Sequence, residues 1–228
     1  MTINRNLSIL AEGASSSGVL GTANGGTGLS SVGTSGNVLT SNGSAWVSST
    51  PSAGAMTLIS TQTGNNTSTT ISWTGLSGYS SYQLILRNIS PTAADSLYMQ
   101  LGTGSSPTWV TSGYAESIVW GDTFSASIGG LIYNTTFAIQ VTGQKFGGPG
   151  DSNDGINLIM TFNNMNHSVA GNTTFLGSSL TYISGYPYEQ DIFGGALTGS
   201  AVAKTALKIY FGSNNIQYGT ASLYGISS

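Results

Sequence analysis

Eight carboxylates and a single histidine are the side chains of this sequence best suited to acid–base chemistry, and the chain has no cysteine. Glycoside hydrolysis needs two carboxylates about 5–9 Å apart. Glu116 with Asp122, and Glu189 with Asp191, lie close enough in sequence to form such a pair. A chain with eight acids produces pairs of this kind by chance, so a polysaccharide-degrading activity is the least favoured of the hypotheses below.

The other catalytic and ligand-binding motifs are incomplete. His167 lies in a polar stretch that predicts a loop, and there is no GxSxG elbow to supply a serine nucleophile. The glycine run 25–28 lacks the lysine of a phosphate-binding loop, and the acidic stretch 150–155 departs from the spacing of a calcium-binding loop. We therefore expect no enzymatic activity, no cofactor and no bound metal.

Aromatic residues in connecting segments are the better candidates for a binding site. Rings exposed on loops stack on sugars, because they offer an apolar face beside a polar tip. Four residues in segments rich in Gly, Ser or Pro meet this description: Trp109, Tyr114, Tyr186 and Tyr188. The alternative is that these rings pack on their own domain or on a neighbouring subunit.

The charge content limits the class of partner. Only 6% of the residues are charged, against roughly 25% in ordinary soluble domains. The basic residues are few and scattered, which argues against nucleic acid as a partner: Arg5, Arg87, Lys145, Lys204 and Lys208. A surface of Ser, Thr, Asn and Gln is typical of a protein that is buried in an assembly or faces glycans. We expect no secretory signal and no membrane insertion, because the sequence has no apolar run of the required length.

Residues 1–55 are predicted to form an extended arm rich in Gly and Ser. No charged residue or histidine occurs from Gly13 to Leu86, and Trp46 is the only aromatic residue of the arm. Such a segment buries too little apolar surface to offset the backbone entropy lost on folding. It is either a disordered tail or a segment whose fold other chains complete, and its short β-prone pieces favour the second alternative. Asn42-Gly43 predicts a hairpin between two short β-prone segments. The predicted contacts with copies or with a particle are Leu7, Val19, Leu20, Leu29, Val38, Leu39 and Trp46.

Residues 56–228 are predicted to form an antiparallel β-sandwich with a jelly-roll-like arrangement. Apolar and polar residues alternate in 82–89, 97–101, 137–141 and 207–211, which is the pattern of half-buried strands. Gly, Pro, Asn and Ser separate these strands and several less regular ones. Residues 198–206 form the segment that best suits a short helix. The fold class is therefore all-β.

Both ends of the chain resemble virion proteins of tailed bacteriophages, especially short tail fibres. The resemblance rests on NGGTG (Asn24–Gly28), GTSGNVLTSNGSAWVSSTP (Gly33–Pro51), NRNLSILAEGASSSGVLG (Asn4–Gly21) and GTASLYGI (Gly219–Ile226). It implies a homotrimer whose arm binds other virion proteins, and it implies location in the virion. One departure is that this chain has a single GGTG and no extended repetitive shaft.

Three functions follow as hypotheses. The first is a short trimeric tail fibre that binds host-surface polysaccharide through loops of the sandwich. The second is a capsid decoration protein whose arm lies across the subunits of the phage head. The third is a polysaccharide-degrading spike that uses the carboxylate pairs described above.

Overall fold

The chain divides into two compact units, Met1–Ala53 and Gly54–Ser228. The division falls two residues before the boundary predicted from the sequence. The structure is a computed structural model that describes residues 12–14, 18–51, 55–122, 128–136, 138–141, 155–169, 173–182 and 188–227. Among these residues, no helix is both long enough and apolar enough to cross a membrane.

The first unit contains the predicted hairpin, which the structure confirms. Strands β1 (Val38–Ser41) and β2 (Trp46–Ser49) pair antiparallel. The Oδ1 atom of Asn42 accepts hydrogen bonds from the backbone N–H groups of Ser44 and Ala45, at 2.9 and 2.8 Å. Gly43 has a φ of 91°, a conformation that side chains disfavour. A 3-10 turn (Thr22–Asn24) precedes the hairpin, and none of the described residues of this unit is fully buried.

The second unit is a sandwich of two antiparallel sheets with eight and five strands. The larger sheet has the order β3 (Met56–Thr63), β15 (Ile216–Ile226), β5 (Ser81–Pro91), β11 (Gly155–Asn163), β12 (Thr173–Tyr182), β13 (Glu189–Leu197), β8 (Tyr114–Asp122) and β9 (Ile128–Thr136). The smaller sheet has the order β10 (Ile139–Gln140), β6 (Leu97–Thr103), β14 (Ala206–Phe211) and β4 (Thr70–Trp73), and β7 (Thr108–Trp109) also pairs with β6.

The core lies between the two sheets and is filled by every second residue of the facing strands, as the alternation predicted. Fully buried side chains from both sheets form one apolar cluster, which includes Tyr82, Leu84, Leu86, Met99, Leu101, Leu158, Met160, Phe162, Phe193, Leu207, Ile209, Phe211 and Leu223. The two phases of each strand differ because one faces this cluster and the other faces away from it. The all-β, antiparallel fold class is thus confirmed.

The helix suggested for residues 198–206 is wrong. This segment is an irregular connection from β13 to β14, and its backbone N–H groups bind carbonyl oxygens of other segments instead of its own. Thr198 donates to Gly113, Lys204 to Met165 and Thr205 to Gly102. Its backbone hydrogen bonds are satisfied by tertiary contacts, so the segment has no need of a helical turn.

Strand β15 occupies an interior position in the larger sheet, between β3 and β5. Its register with β5 shifts around Gly219, which has a φ of 95°. A Cβ atom at this position would collide with the backbone of Asn88 on β5. Gly219 therefore permits the closest approach of the two strands at the bulge.

Candidate functional site

The outward side of the smaller sheet carries an aromatic–lysine face, defined by Tyr98, Trp109, Lys208 and Tyr210. The inward phase of β6 and β14 belongs to the core, so the alternate residues of these strands face outward. Trp109 reaches the same side from β7, opposite Gly102 of β6. A Cβ atom on Gly102 would lie 3.0 Å from the Trp109 ring and 3.1 Å from the Ala206 Cβ. The missing side chain at Gly102 thus provides the space in which the indole lies.

Lys208 lies between two aromatic rings on this face. Its Nζ atom is 4.6 Å from the centroid of the Trp109 ring and 4.8 Å from that of Tyr210. Both distances are within the range in which a cation is attracted to the negative face of a ring. Tyr98 is the cross-strand partner of Tyr210, and their centroids are 5.6 Å apart with an angle of 31° between the ring planes. Three rings and one ammonium group therefore form a contiguous surface.

All four side chains are half-buried, and burial shifts the pKa of Lys208 and of Tyr210. Burial lowers the pKa of the Lys208 ammonium. Burial, with a smaller contribution from Tyr98, raises the pKa of Tyr210 to about 12. The Tyr210 hydroxyl thus keeps its proton at neutral pH and can donate a hydrogen bond. The face offers apolar ring surface, hydroxyl groups and one cation, and it contains no carboxylate.

The structure separates the four aromatic residues that the sequence suggested for glycan binding. Trp109 lies on the aromatic–lysine face. Tyr188 is exposed and directly precedes β13. It lies near one end of the paired strands β13 and β8, and Tyr114 lies at the other end. Tyr186 lies outside the described residues.

The expectation for Tyr114 is wrong, because this side chain is fully buried. Tyr114 begins β8 and points into the sandwich, where its hydroxyl accepts a hydrogen bond of 2.8 Å from the backbone N–H of Leu101. Strands β10 and β7 pair with β6 on either side of this point. The Tyr114 hydroxyl thus accepts the backbone N–H that lies between the two short strands and pairs with neither of them. Its role is structural.

Glu116 is a second buried link between the sheets. Both of its carboxylate oxygens accept the backbone N–H of Gln140 in β10, at 3.0 and 3.2 Å. Burial raises the pKa of this carboxyl group to about 7, although the hydrogen bond from Gln140 favours the charged form. The side chain is 3% exposed, so the carboxyl group has almost no contact with solvent.

The carboxylate pairs considered for glycoside hydrolysis have different outcomes. Glu116 and Asp122 are six residues apart on one strand, a separation of about 20 Å, so this pairing is wrong. Glu189 and Asp191 lie on the same side of β13, but Asp191 is fully buried and accepts a hydrogen bond of 2.9 Å from the Ser179 hydroxyl. Asp191 is therefore placed as a structural group within the sheet.

His167 and the acidic residues are the remaining candidates for catalytic and metal-binding groups. His167 is exposed in a turn, and its backbone N–H donates a hydrogen bond to the carbonyl oxygen of Asn164. The described residues contain no group of three or more His, Cys, Asp or Glu side chains that could hold a metal ion. Most of the acidic stretch 150–155 falls outside those residues.

The predicted contact residues of the arm are only partly described. Leu7 lies outside the described residues, and Val19, Leu20 and Leu29 are half-buried. Three members of the hairpin expose large apolar side chains, namely Val38, Leu39 and Trp46. Their contacts with other chains stay a prediction.

Sequence reasoning found one of the four residues of the aromatic–lysine face. Tyr98, Lys208 and Tyr210 were visible as the polar phase of two alternating strands, but nothing in the sequence indicated that these strands pair. The register that places Tyr98 beside Tyr210 joins segments far apart in the chain. The only local signal was that both strands carry an aromatic residue on the outward side.

Comparison with known proteins gave no matching family model, no matching curated protein and no matching solved structure. The functional proposal therefore depends on the residues of this chain and their geometry.

Proposed function

We propose that this chain is a non-enzymatic structural protein of a tailed-phage virion, a short homotrimeric tail fibre that binds host-surface glycan. The observation that carries the binding role is the aromatic–lysine face. The low charge content and the division into an arm unit and a sandwich unit support the structural role.

The aromatic–lysine face suits a sugar chain for a physical reason. A pyranose ring has an apolar side that stacks on an aromatic ring and a rim of hydroxyls that need hydrogen-bond partners. Lys208 has a flexible stem and lies over the indole of Trp109. When a sugar replaces the ammonium over that ring, the ammonium becomes a donor for the sugar hydroxyls. Tyr98 and Tyr210 supply further ring surface and two hydroxyl groups.

The test is binding of the full chain to lipopolysaccharide and capsular polysaccharide purified from candidate host bacteria. We expect Trp109→Ala and Lys208→Ala each to weaken binding by roughly tenfold, the scale of one aromatic or cation–ring contact. Tyr188→Ala is the matched control, because Tyr188 is an exposed aromatic residue away from this face. Equal binding by wild type and Trp109→Ala would refute the role of the face, and loss of binding only in Tyr188→Ala would move the site to β13.

A capsid decoration protein is the second candidate, favoured by the exposed apolar residues of the hairpin in the first unit. In that function the hairpin lies on capsid subunits, and removal of the protein lowers the heat resistance of the particles. Labelling the protein on intact particles distinguishes the head from the tail. Heat resistance that does not change on removal contradicts the decoration function.

A further inference from the structure

The outward side of the larger sheet exposes large aliphatic side chains among small and polar ones. Six residues on neighbouring strands have large aliphatic side chains that are between 46% and 79% exposed, and we call them the outer apolar face: Val119, Ile132, Ile159, Leu176, Leu180 and Ile192. These residues belong to the phase of the strands that points away from the core. Together they leave roughly 500 Å² of aliphatic surface in water, which is near the upper limit of patches on monomeric proteins.

The outer apolar face alternates large and small side chains in adjacent rows. One row runs across five strands as Ile159, Ser178, Ile192, Val119 and Gly130, and the next runs as Thr161, Leu176, Gly194, Ser117 and Ile132. On every strand, the large residue of one row lies beside a small residue of the other. Such a surface has projections and hollows of matching size, so an identical surface can interdigitate with it as facing sheets do in sandwiches.

The charge and area of this surface favour copies of the same chain as its occupant. Arg87 is the one charged residue whose position is on the outward side of the six strands β5, β11, β12, β13, β8 and β9. A partner of opposite charge therefore has little to recognise there. Six strands about 4.8 Å apart and about nine residues long present roughly 700 Å², close to the roughly 800 Å² that each partner buries in a stable complex.

We infer that copies of this chain pack against one another through the outer apolar face. The inference goes beyond the proposed homotrimer, because two identical surfaces that pack face to face join copies in pairs, and it is independent of glycan binding. It also explains why the outward side lacks the charged residues that normally keep a sheet soluble.

The test measures the mass of the full chain by size-exclusion chromatography with light scattering over a range of concentrations. We expect the wild type to run as a multiple of the 23.3 kDa chain. Ile192→Glu and Leu176→Glu should each raise the dissociation constant at least about tenfold, because a carboxylate would be buried in an apolar contact. Both positions are exposed in the single chain, so the fold should accept the change, which circular dichroism verifies. Val202→Glu is the control, since Val202 has similar exposure but lies on the connection from β13 to β14.

Each outcome is decisive for the outer apolar face. A monomeric wild type overturns the inference. An oligomer that resists both substitutions while Val202→Glu behaves like wild type also overturns it and places the contacts elsewhere, for example in residues 1–55. A dimer that Ile192→Glu dissociates supports the face as the interface but contradicts the trimer of the proposed function.

Discussion

Glu116 makes the stability of the sandwich depend on pH near neutrality. The carboxyl group is buried where its oxygens accept the N–H of Gln140, and burial raises its pKa from 4.5 to about 7. A group with a raised pKa in the folded state stabilises the fold fully below its unfolded pKa, and this contribution is lost as the pH rises through the folded pKa. At about 1.4 kcal/mol for each pH unit, the interval between the two pKa values corresponds to about 3 kcal/mol.

The substitution Glu116→Gln isolates this contribution. The amide keeps the shape of the side chain and an oxygen that can accept the Gln140 N–H, but it does not ionise. We expect the free energy of unfolding of the variant, relative to wild type, to rise by about 3 kcal/mol between pH 4.5 and pH 8. Urea denaturation at several pH values measures this difference, in which the titration of all other groups cancels.

The control for removing one carboxylate is Glu12→Gln, since Glu12 is exposed. Its stability relative to wild type over the same pH interval measures the effect of removing an exposed carboxylate. A difference for Glu116→Gln that does not change with pH would refute the reasoning, because it would show that Glu116 has the same proton affinity in the folded and unfolded chains.

Two further predictions concern individual hydrogen bonds. Tyr114→Phe removes the acceptor of the Leu101 N–H. The free energy of unfolding, measured by urea denaturation, should fall by about 1–3 kcal/mol, the cost of a buried unpaired donor. An unchanged free energy would mean that this N–H has another partner. Asp95 accepts hydrogen bonds from the backbone of Ser213 and from the backbone and side chain of Asn214. Burial alone would raise the pKa of Asp95, but these bonds outweigh it and hold the pKa below 3.8, so this contribution should be present above pH 3.8 and lost as the pH falls further. Asp95→Asn should lower the stability at pH 7 by about 1–2 kcal/mol, and acid denaturation in which the difference fails to shrink below pH 3.8 contradicts this account.

The local pattern of the sequence determined the strands but not their neighbours. Alternation identified the inward residues of β6 and β14 because a half-buried strand needs an apolar residue at every second position. The pairing of Tyr98 with Tyr210 depends on register between distant segments, and no local pattern encodes it. The aromatic–lysine face was missed for that reason.

Tyr114 shows a second limit of sequence reasoning. It stands close to Gly113 and a run of Gly, Ser and Pro residues, which is typical of an exposed loop. In the structure Tyr114 is the first residue of β8, and the alternation of side chains along that strand directs its ring inward. A shift of one residue reverses the side to which a strand residue points, and strand ends are where sequence patterns are weakest.

The interior position of β15 has a consequence for the synthesis of the protein. This strand is the last of the second unit, yet it lies between β3 and β5 and forms ladders with both. The larger sheet cannot close until β15 has left the ribosome, so folding of the unit is dominated by contacts distant in sequence, which makes it slow. Until then β3 and β5 expose unpaired edges, and Arg87 is the one charged residue of the two strands that can keep them from pairing with other chains. The nascent chain is thus most prone to aggregation just before β15 arrives.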